Sequence, residues 1–214
     1  DFAETVAWKD GVVDRLSGGV GGLLRKAKVR VVVGWAHFSD AKTCVVETAA
    51  GPIAIRAEHV ILATGSLAAQ LPFLPFGGDV ISSSEALALG EVPRHLVVIG
   101  AGYIGLELGS AFAQLGADVS IVEAQDRILP LYDAKLTHPV RKWLDSSGVA
   151  LHLGAKALGY SGDALQIETA TGERMALPAD KVLVTVGRKP CTEGWGLENT
   201  GIAVNGAFVA VDDR

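Results

Sequence analysis

Six residues constrain the fold of this chain more than any others: Gly100-Ala101-Gly102-Tyr103-Ile104-Gly105. The pattern G-x-G-x-x-G is weak by itself in a chain where glycine is 26 of 214 residues, about 12% against a usual ~7%. Its surroundings give it meaning. The apolar run Leu96-Val97-Val98-Ile99 leads in as a buried strand, and Tyr103 to Leu115 leads out as a helix capped by Gly116. Val119 to Val122 is the next strand, and Glu123 closes it 23 residues after Gly100. Strand, tight glycine turn, helix N-terminus and a following carboxylate together specify a dinucleotide site. Gly100 permits the turn, Gly102 lets the backbone approach a pyrophosphate with no β-carbon in the way, and Gly105 lets the helix pack on the strand. Free N–H groups and partial positive charge at the helix N-terminus, around Tyr103 and Ile104, favour the phosphates. Glu123 suits the ribose hydroxyls of NAD and repels the 2′-phosphate of NADP, whereas Arg127, four residues on, carries the charge to meet that phosphate. NAD is the expected cofactor.

The same rhythm continues. Ala134 to Asp145 is a helix, Val149 to Leu153 a strand, and Ala157 to Met175 a set of short strands turning near Gly162 and Gly172. Val182 to Val186 is a last apolar strand. Strand alternating with helix through short loops specifies an α/β fold, a doubly wound parallel sheet carrying an antiparallel β-meander. Upstream, the spacing of Val13, Leu16, Val20, Leu23 and Leu24 predicts a helix from Val12 that runs through Gly18, Gly19, Gly21 and Gly22. Each glycine there costs the helix up to ~1 kcal/mol relative to alanine. Val29 to Phe38, Lys42 to Thr48, Ile53 to Arg56 and Val60 to Ala63 are expected strands, the last one buried. The Pro/Gly/Ser stretch from Leu71 to Ser84 marks a domain boundary. The expected division is 1–80, then 81–200 for the dinucleotide domain, then a return at 201–214.

Composition narrows the functional classes. Net charge is −5 and no basic run exceeds two residues, which excludes the Lys/Arg stripe of a nucleic-acid binder. Val60 to Gly78 is uncharged for 19 residues, yet Gly65, Pro72, Pro75, Gly77 and Gly78 interrupt it, so a membrane span is not expected. The acidic and basic residues among the first ten exclude a signal-peptide core, and a cytoplasmic protein is the expectation. Cys44 and Cys191 form neither a disulfide framework nor a metal cluster, so no metal is assigned.

Several stretches resemble one family in order: Val60-Ile61-Leu62-Ala63-Thr64-Gly65-Ser66, Ile81-Ser82-Ser83-Ser84-Glu85-Ala86-Leu87, the run from Gly100 to Gly109, and Val184-Thr185-Val186-Gly187-Arg188-Lys189-Pro190. They are similar to the flavoprotein disulfide oxidoreductases that bind two dinucleotides, and within them to the dihydrolipoamide dehydrogenases. Arg127-Ile128-Leu129-Pro130 after Glu123-Ala124 is similar to that branch too. Gly34-Trp35-Ala36 and Glu193-Gly194-Trp195 resemble the version serving bacterial branched-chain 2-oxo acid dehydrogenase complexes. The resemblance implies roles residue by residue. Ala36 would meet the adenine of FAD, and Ala63, Thr64 and Gly65 would pass the flavin. Tyr103 would cover the nicotinamide pocket, and Glu107 would pair with a flavin-side lysine. Gly187 and Arg188 would return under the nicotinamide half of NAD, and Ala157 would lie on its adenine side. His138 and Cys191 match no family role.

The family also has an N-terminal flavin-binding glycine motif, a Cys-x4-Cys pair and an Ala-Ile-Gly-Asp motif, none of which occurs in this sequence, and a far-end His-Pro segment that supplies the base, to which His138-Pro139 does not correspond. With Asp1-Phe2-Ala3 at the start and Met175 as the one methionine, the chain is expected to be a central piece holding a whole NAD domain and part of an FAD domain. The intact enzyme would take electrons from dihydrolipoamide on a lipoyl domain through a disulfide and FAD to NAD, as a homodimer. The piece alone is expected to bind NAD without lipoamide activity. Another flavin disulfide reductase, a soluble transhydrogenase and a standalone NAD-binding module are the alternatives.

Overall fold

A computed structural model describes residues 1–212. In chain order its elements are helix α1 (Phe2–Lys26), strands β1 (Trp35–Asp40), β2 (Thr43–Thr48), β3 (Gly51–Arg56), β4 (Ser66–Ala68) and β5 (Val80–Ile81), and helix α2 (Ser83–Ala86). Then come β6 (His95–Ile99), α3 (Tyr103–Gln114), β7 (Asp118–Glu123), α4 (Ala134–Ser146), β8 (Ala150–Leu153), β9 (Lys156–Ser161), β10 (Ala164–Glu168), β11 (Arg174–Pro178) and β12 (Lys181–Val184). The last are β13 (Arg188–Pro190), a 3-10 turn (Leu197–Thr200), β14 (Val204–Asn205) and β15 (Phe208–Val209). Contacts gather the chain into two units, one of Asp1–Lys9 with Ala68–Arg188, the other of Asp10–Leu67 with Lys189 onward. The chain thus changes unit at 9–10, 67–68 and 188–189, whereas the sequence reading divides it at 80 and 200.

The first unit is built on a five-stranded sheet of order β5-β12-β6-β7-β8, parallel throughout. Its strands are apolar on both faces because both faces are covered. Leu96, Val98, Val119, Ile121 and Leu183 pack with Leu106 and Phe112 of α3 and Leu144 of α4. The alternate residues Val97, Ile99, Val122, Val182 and Val184 pack against Leu165, Ile167 and Leu177 of the antiparallel β9-β10-β11 meander. From β6 the chain winds through β7 to β8 on one side, while β12 and β5 lie on the other. The C-terminal end of β6 is therefore the topological switch point, where sheets of this kind bind ligands.

In the second unit β1, β2 and β3 form an antiparallel sheet, and Phe38, Trp195 and Leu197 make a small core. Phe38 N–H donates to the Trp195 carbonyl at 2.8 Å, and the two rings meet edge to face with centroids 5.9 Å apart. Helix α1 runs unbroken through its glycines and ends where Lys28 turns left-handed (φ 58°) and Val29 N–H reaches the Leu24 carbonyl. It begins ten residues earlier than the apolar spacing predicts, at Phe2, with Ala3 N–H bonded to the Asp1 carboxylate.

Two strand expectations need correction. Val60 to Ala63 is not a strand and is not buried: Ile61 is 92% exposed. An apolar run becomes a strand only where a neighbour supplies its ladder, and among the described residues none pairs with 60–63. The strand expected from Val29 begins only at Trp35, since β2 is six residues long and pairs no farther back than Trp35 with Glu47.

Candidate functional site

A cleft of about 760 Å³ opens at the C-terminal end of β6 and β12. Its floor is the turn from Gly100, shaped by side-chain size. Gly100 has φ +103°, and a β-carbon on it would lie 2.8 Å from the Thr185 carbonyl oxygen. A β-carbon on Gly105 would lie 2.5 Å from the Thr185 hydroxyl and closer still to the Gly100 carbonyl. Gly102 is different. A β-carbon there would meet nothing within 4 Å, and the residue lines the cleft. As N-cap of α3 it makes no side-chain capping bond, so the first N–H groups of that helix are left for a ligand.

Thr185 fastens the turn from below, its hydroxyl shared between the carbonyls of Ile99 (3.0 Å) and Gly100 (3.1 Å). Glu123 fastens it from the side. One carboxylate oxygen accepts from Ala101 N–H at 2.7 Å and the other from Gln125 N–H at 2.8 Å. An ionised carboxylate has about four acceptor positions, so capacity remains for ribose hydroxyls. Arg127 turns its guanidinium onto the Pro130 carbonyl of its own loop.

Of the ten residues singled out for NAD, eight line the cleft: Gly100, Gly102, Tyr103, Ile104, Glu123, Ala157, Gly187 and Arg188. Gly105 is buried beneath the turn, and Glu107 is exposed one helical turn past Tyr103, outside the lining. The four residues singled out for FAD belong to the second unit. Ala36 is exposed on β1, and Ala63, Thr64 and Gly65 are exposed without regular structure. Sequence reasoning missed Thr185, the apolar wall of Leu71 and Phe73, the rim from Leu129 to Tyr132, and Lys156. The one available signal was Thr185, as the first residue past the apolar run of β12. Among the described residues no cluster of His, Cys, Asp or Glu is placed to hold a metal ion, and no helix is long and apolar enough to cross a membrane.

A parallel sheet with helices on one face, a meander on the other, and a glycine turn beside an acidic strand end define a dinucleotide-binding α/β domain. The whole chain, residues 1–214, matches the model of the pyridine nucleotide-disulphide oxidoreductases, and the chain belongs to that family. It is 53% identical over 215 residues to a dihydrolipoyl dehydrogenase of Pseudomonas aeruginosa, matching all of this chain and 46% of that protein. A dihydrolipoyl dehydrogenase of Haloferax volcanii is 43% identical over 223 residues, again across the whole chain and 47% of the relative. Among solved structures, the HOCl-induced flavoprotein disulfide reductase RclA of Escherichia coli aligns with a TM-score of 0.87 at 30% identity, over 99% of this chain and 49% of that one. The chain spans about half the length of the curated relatives it matches.

Proposed function

We propose that this chain is the NAD-binding part of a flavin-dependent dihydrolipoamide dehydrogenase. The observation that carries the proposal is the pairing of an open Gly102 with Glu123 on one cleft at the switch point of a parallel sheet. Gly100, Gly102 and the first turn of α3 would hold the pyrophosphate, Glu123 the adenosine ribose, Ala157 the adenine side, and Tyr103, Gly187 and Arg188 the nicotinamide side. In the second unit, Ala36, Ala63, Thr64 and Gly65 are exposed, as residues that meet FAD would have to be. NAD and FAD supply hydride and electron transfer when bound; the residues of this chain bind and orient them and shield them from water. The engagement of Arg127 by Pro130 favours NAD over NADP, because the nearest cation after Glu123 is already committed within its loop.

The identity to dihydrolipoyl dehydrogenases supports dihydrolipoamide, presented on the lipoyl domain of a 2-oxo acid dehydrogenase complex, as the electron donor of the whole protein, and a homodimer as its state. The likeness to RclA supports a second reading, another flavin disulfide reductase. Reduction of NAD by dihydrolipoamide, assayed with the full-length protein, separates them: turnover supports the first, and turnover only with other disulfide substrates supports the second. In the same protein NADH should bind at least tenfold more tightly than NADPH, and the reverse order would refute the assignment of Glu123.

A further inference from the structure

We propose that Glu123 is a positioning residue for the glycine turn itself, holding it through the peptide of Ala101, and does not act only on the ribose. The inference rests on the reading of the cleft as an NAD site. Ala101 is fully buried, so its N–H and C=O must both find partners inside the protein. The ladder of the sheet ends one residue earlier, with Gly100 N–H on the Val122 carbonyl at 2.8 Å. From there the partners come from the end of β7 and the loop after it. Ala101 N–H donates to Glu123 Oε2 at 2.7 Å, and the Ala101 carbonyl accepts Leu129 N–H at 3.0 Å.

That loop is itself braced. Leu129 sits at φ +47°, its carbonyl accepts Tyr132 N–H at 2.9 Å, and Arg127 caps the Pro130 carbonyl. Gln125 N–H fixes the second carboxylate oxygen, so Glu123 has one orientation in which to serve Ala101. The peptide of Ala101 is therefore gripped at both ends, and the next residue is Gly102, the N-cap from which α3 starts. Any displacement of Ala101 displaces the N–H groups that would receive the pyrophosphate. Charge-assisted bonds of this length are roughly twice as strong as neutral ones, which suits a clamp.

The clamp makes a prediction opposite in sign to simple electrostatics. Removing a negative charge beside a pyrophosphate should tighten binding by Coulomb's law. Losing the clamp should weaken it, even for a ligand with no ribose hydroxyls to contact. The test uses NAD⁺ and its analogue with a 2′,3′-dideoxy adenosine ribose, titrated calorimetrically into the full-length protein, wild type, Glu123→Leu and Glu123→Gln. Leucine fills the space and accepts nothing; glutamine is equally uncharged but retains one acceptor oxygen for Ala101. The expected result is analogue binding about tenfold weaker in Glu123→Leu and largely restored in Glu123→Gln, the size of a lost hydrogen bond to a charged group. Amide exchange of the peptide containing Ala101, read by mass spectrometry without nucleotide, should be faster in Glu123→Leu than in the other two. Glu123→Ala serves the same comparison if the leucine variant fails to fold. Analogue affinity in Glu123→Leu equal to or tighter than wild type overturns the clamp. Failure of the wild type to bind either nucleotide overturns the NAD reading instead.

Discussion

Gly105 and Thr185 lie 80 positions apart in sequence and so close in space that a β-carbon on the glycine would come within 2.5 Å of the threonine hydroxyl. The helix that starts at the cleft is thereby seated on the end of β12, the strand that returns from the meander. The glycine turn is a three-way junction of β6, α3 and β12, and the close approach explains why the third glycine of the motif never reaches the cleft.

Gly105→Ala should therefore act on folding as well as binding. The nearest obstacle is the Gly100 carbonyl, which is backbone and has no rotamer to yield. Overpacking of this kind costs about 1–3 kcal/mol. A denaturant midpoint lowered accordingly, with NAD affinity lowered too, is the expected outcome; unchanged stability would show that the helix has room to lift.

Gly102→Ala should separate the two effects. Its backbone (φ −77°, ψ 177°) suits any residue, and a β-carbon meets no protein atom within 4 Å. Replacing glycine where the conformation is permitted stabilises by about 0.4–1 kcal/mol through the unfolded chain. The variant should melt at or slightly above the wild-type temperature while binding NAD at least tenfold more weakly. Unchanged binding would remove the pyrophosphate from this face of the turn.

Two stretches singled out separately in the sequence, Gly34-Trp35-Ala36 and Glu193-Gly194-Trp195, prove to be one structural feature. Trp35 Nε1 donates to the Gly194 carbonyl at 3.4 Å, and Gly196 (φ +78°) passes so close to Phe38 that a β-carbon would strike its carbonyl oxygen and lie 3.0 Å from its nitrogen. Gly196→Ala should destabilise the second unit by roughly 2–5 kcal/mol, left-handed strain adding to the collision. The emission of Trp195, whose Nε1 donates to the Cys191 carbonyl from a buried position, should shift to the red. Preserved stability and an unshifted spectrum would refute the packing described.

The strand, glycine turn and helix from β6 to α3 were legible because their physics is local. Backbone freedom at Gly100, an open approach at Gly102 and an acidic strand end are all written within 24 residues, Gly100 to Glu123. Phe73 and the rim from Leu129 to Tyr132 were not legible, since each reaches the cleft from a segment whose own pattern is that of an ordinary loop. The run from Val60 to Ala63 shows the opposite failure. Apolar β-branched composition predicts a strand, but pairing is a property of neighbours, and composition carries no information on whether a neighbour is there. Helix α1 was found from its spacing even though none of its residues is buried.

His152 on β8 gives a pH-dependent prediction outside the cleft. Its Nε2 is buried with no hydrogen-bond partner among the described residues, and burial holds its pKa below the ordinary histidine value of 6.5. The folded protein thus prefers the neutral ring, while the unfolded chain protonates at the ordinary value. Stability from this site is full above pH 6.5 and is lost as pH falls from there through the lowered folded pKa, because the unfolded state then binds more protons. His152→Leu, unable to protonate, should remove that part of the slope. Unfolding free energies at pH 7.5 and 5.5 should differ less in the variant than in the wild type. Parallel pH profiles for the two proteins would show that water reaches the ring and that His152 titrates as an exposed histidine does.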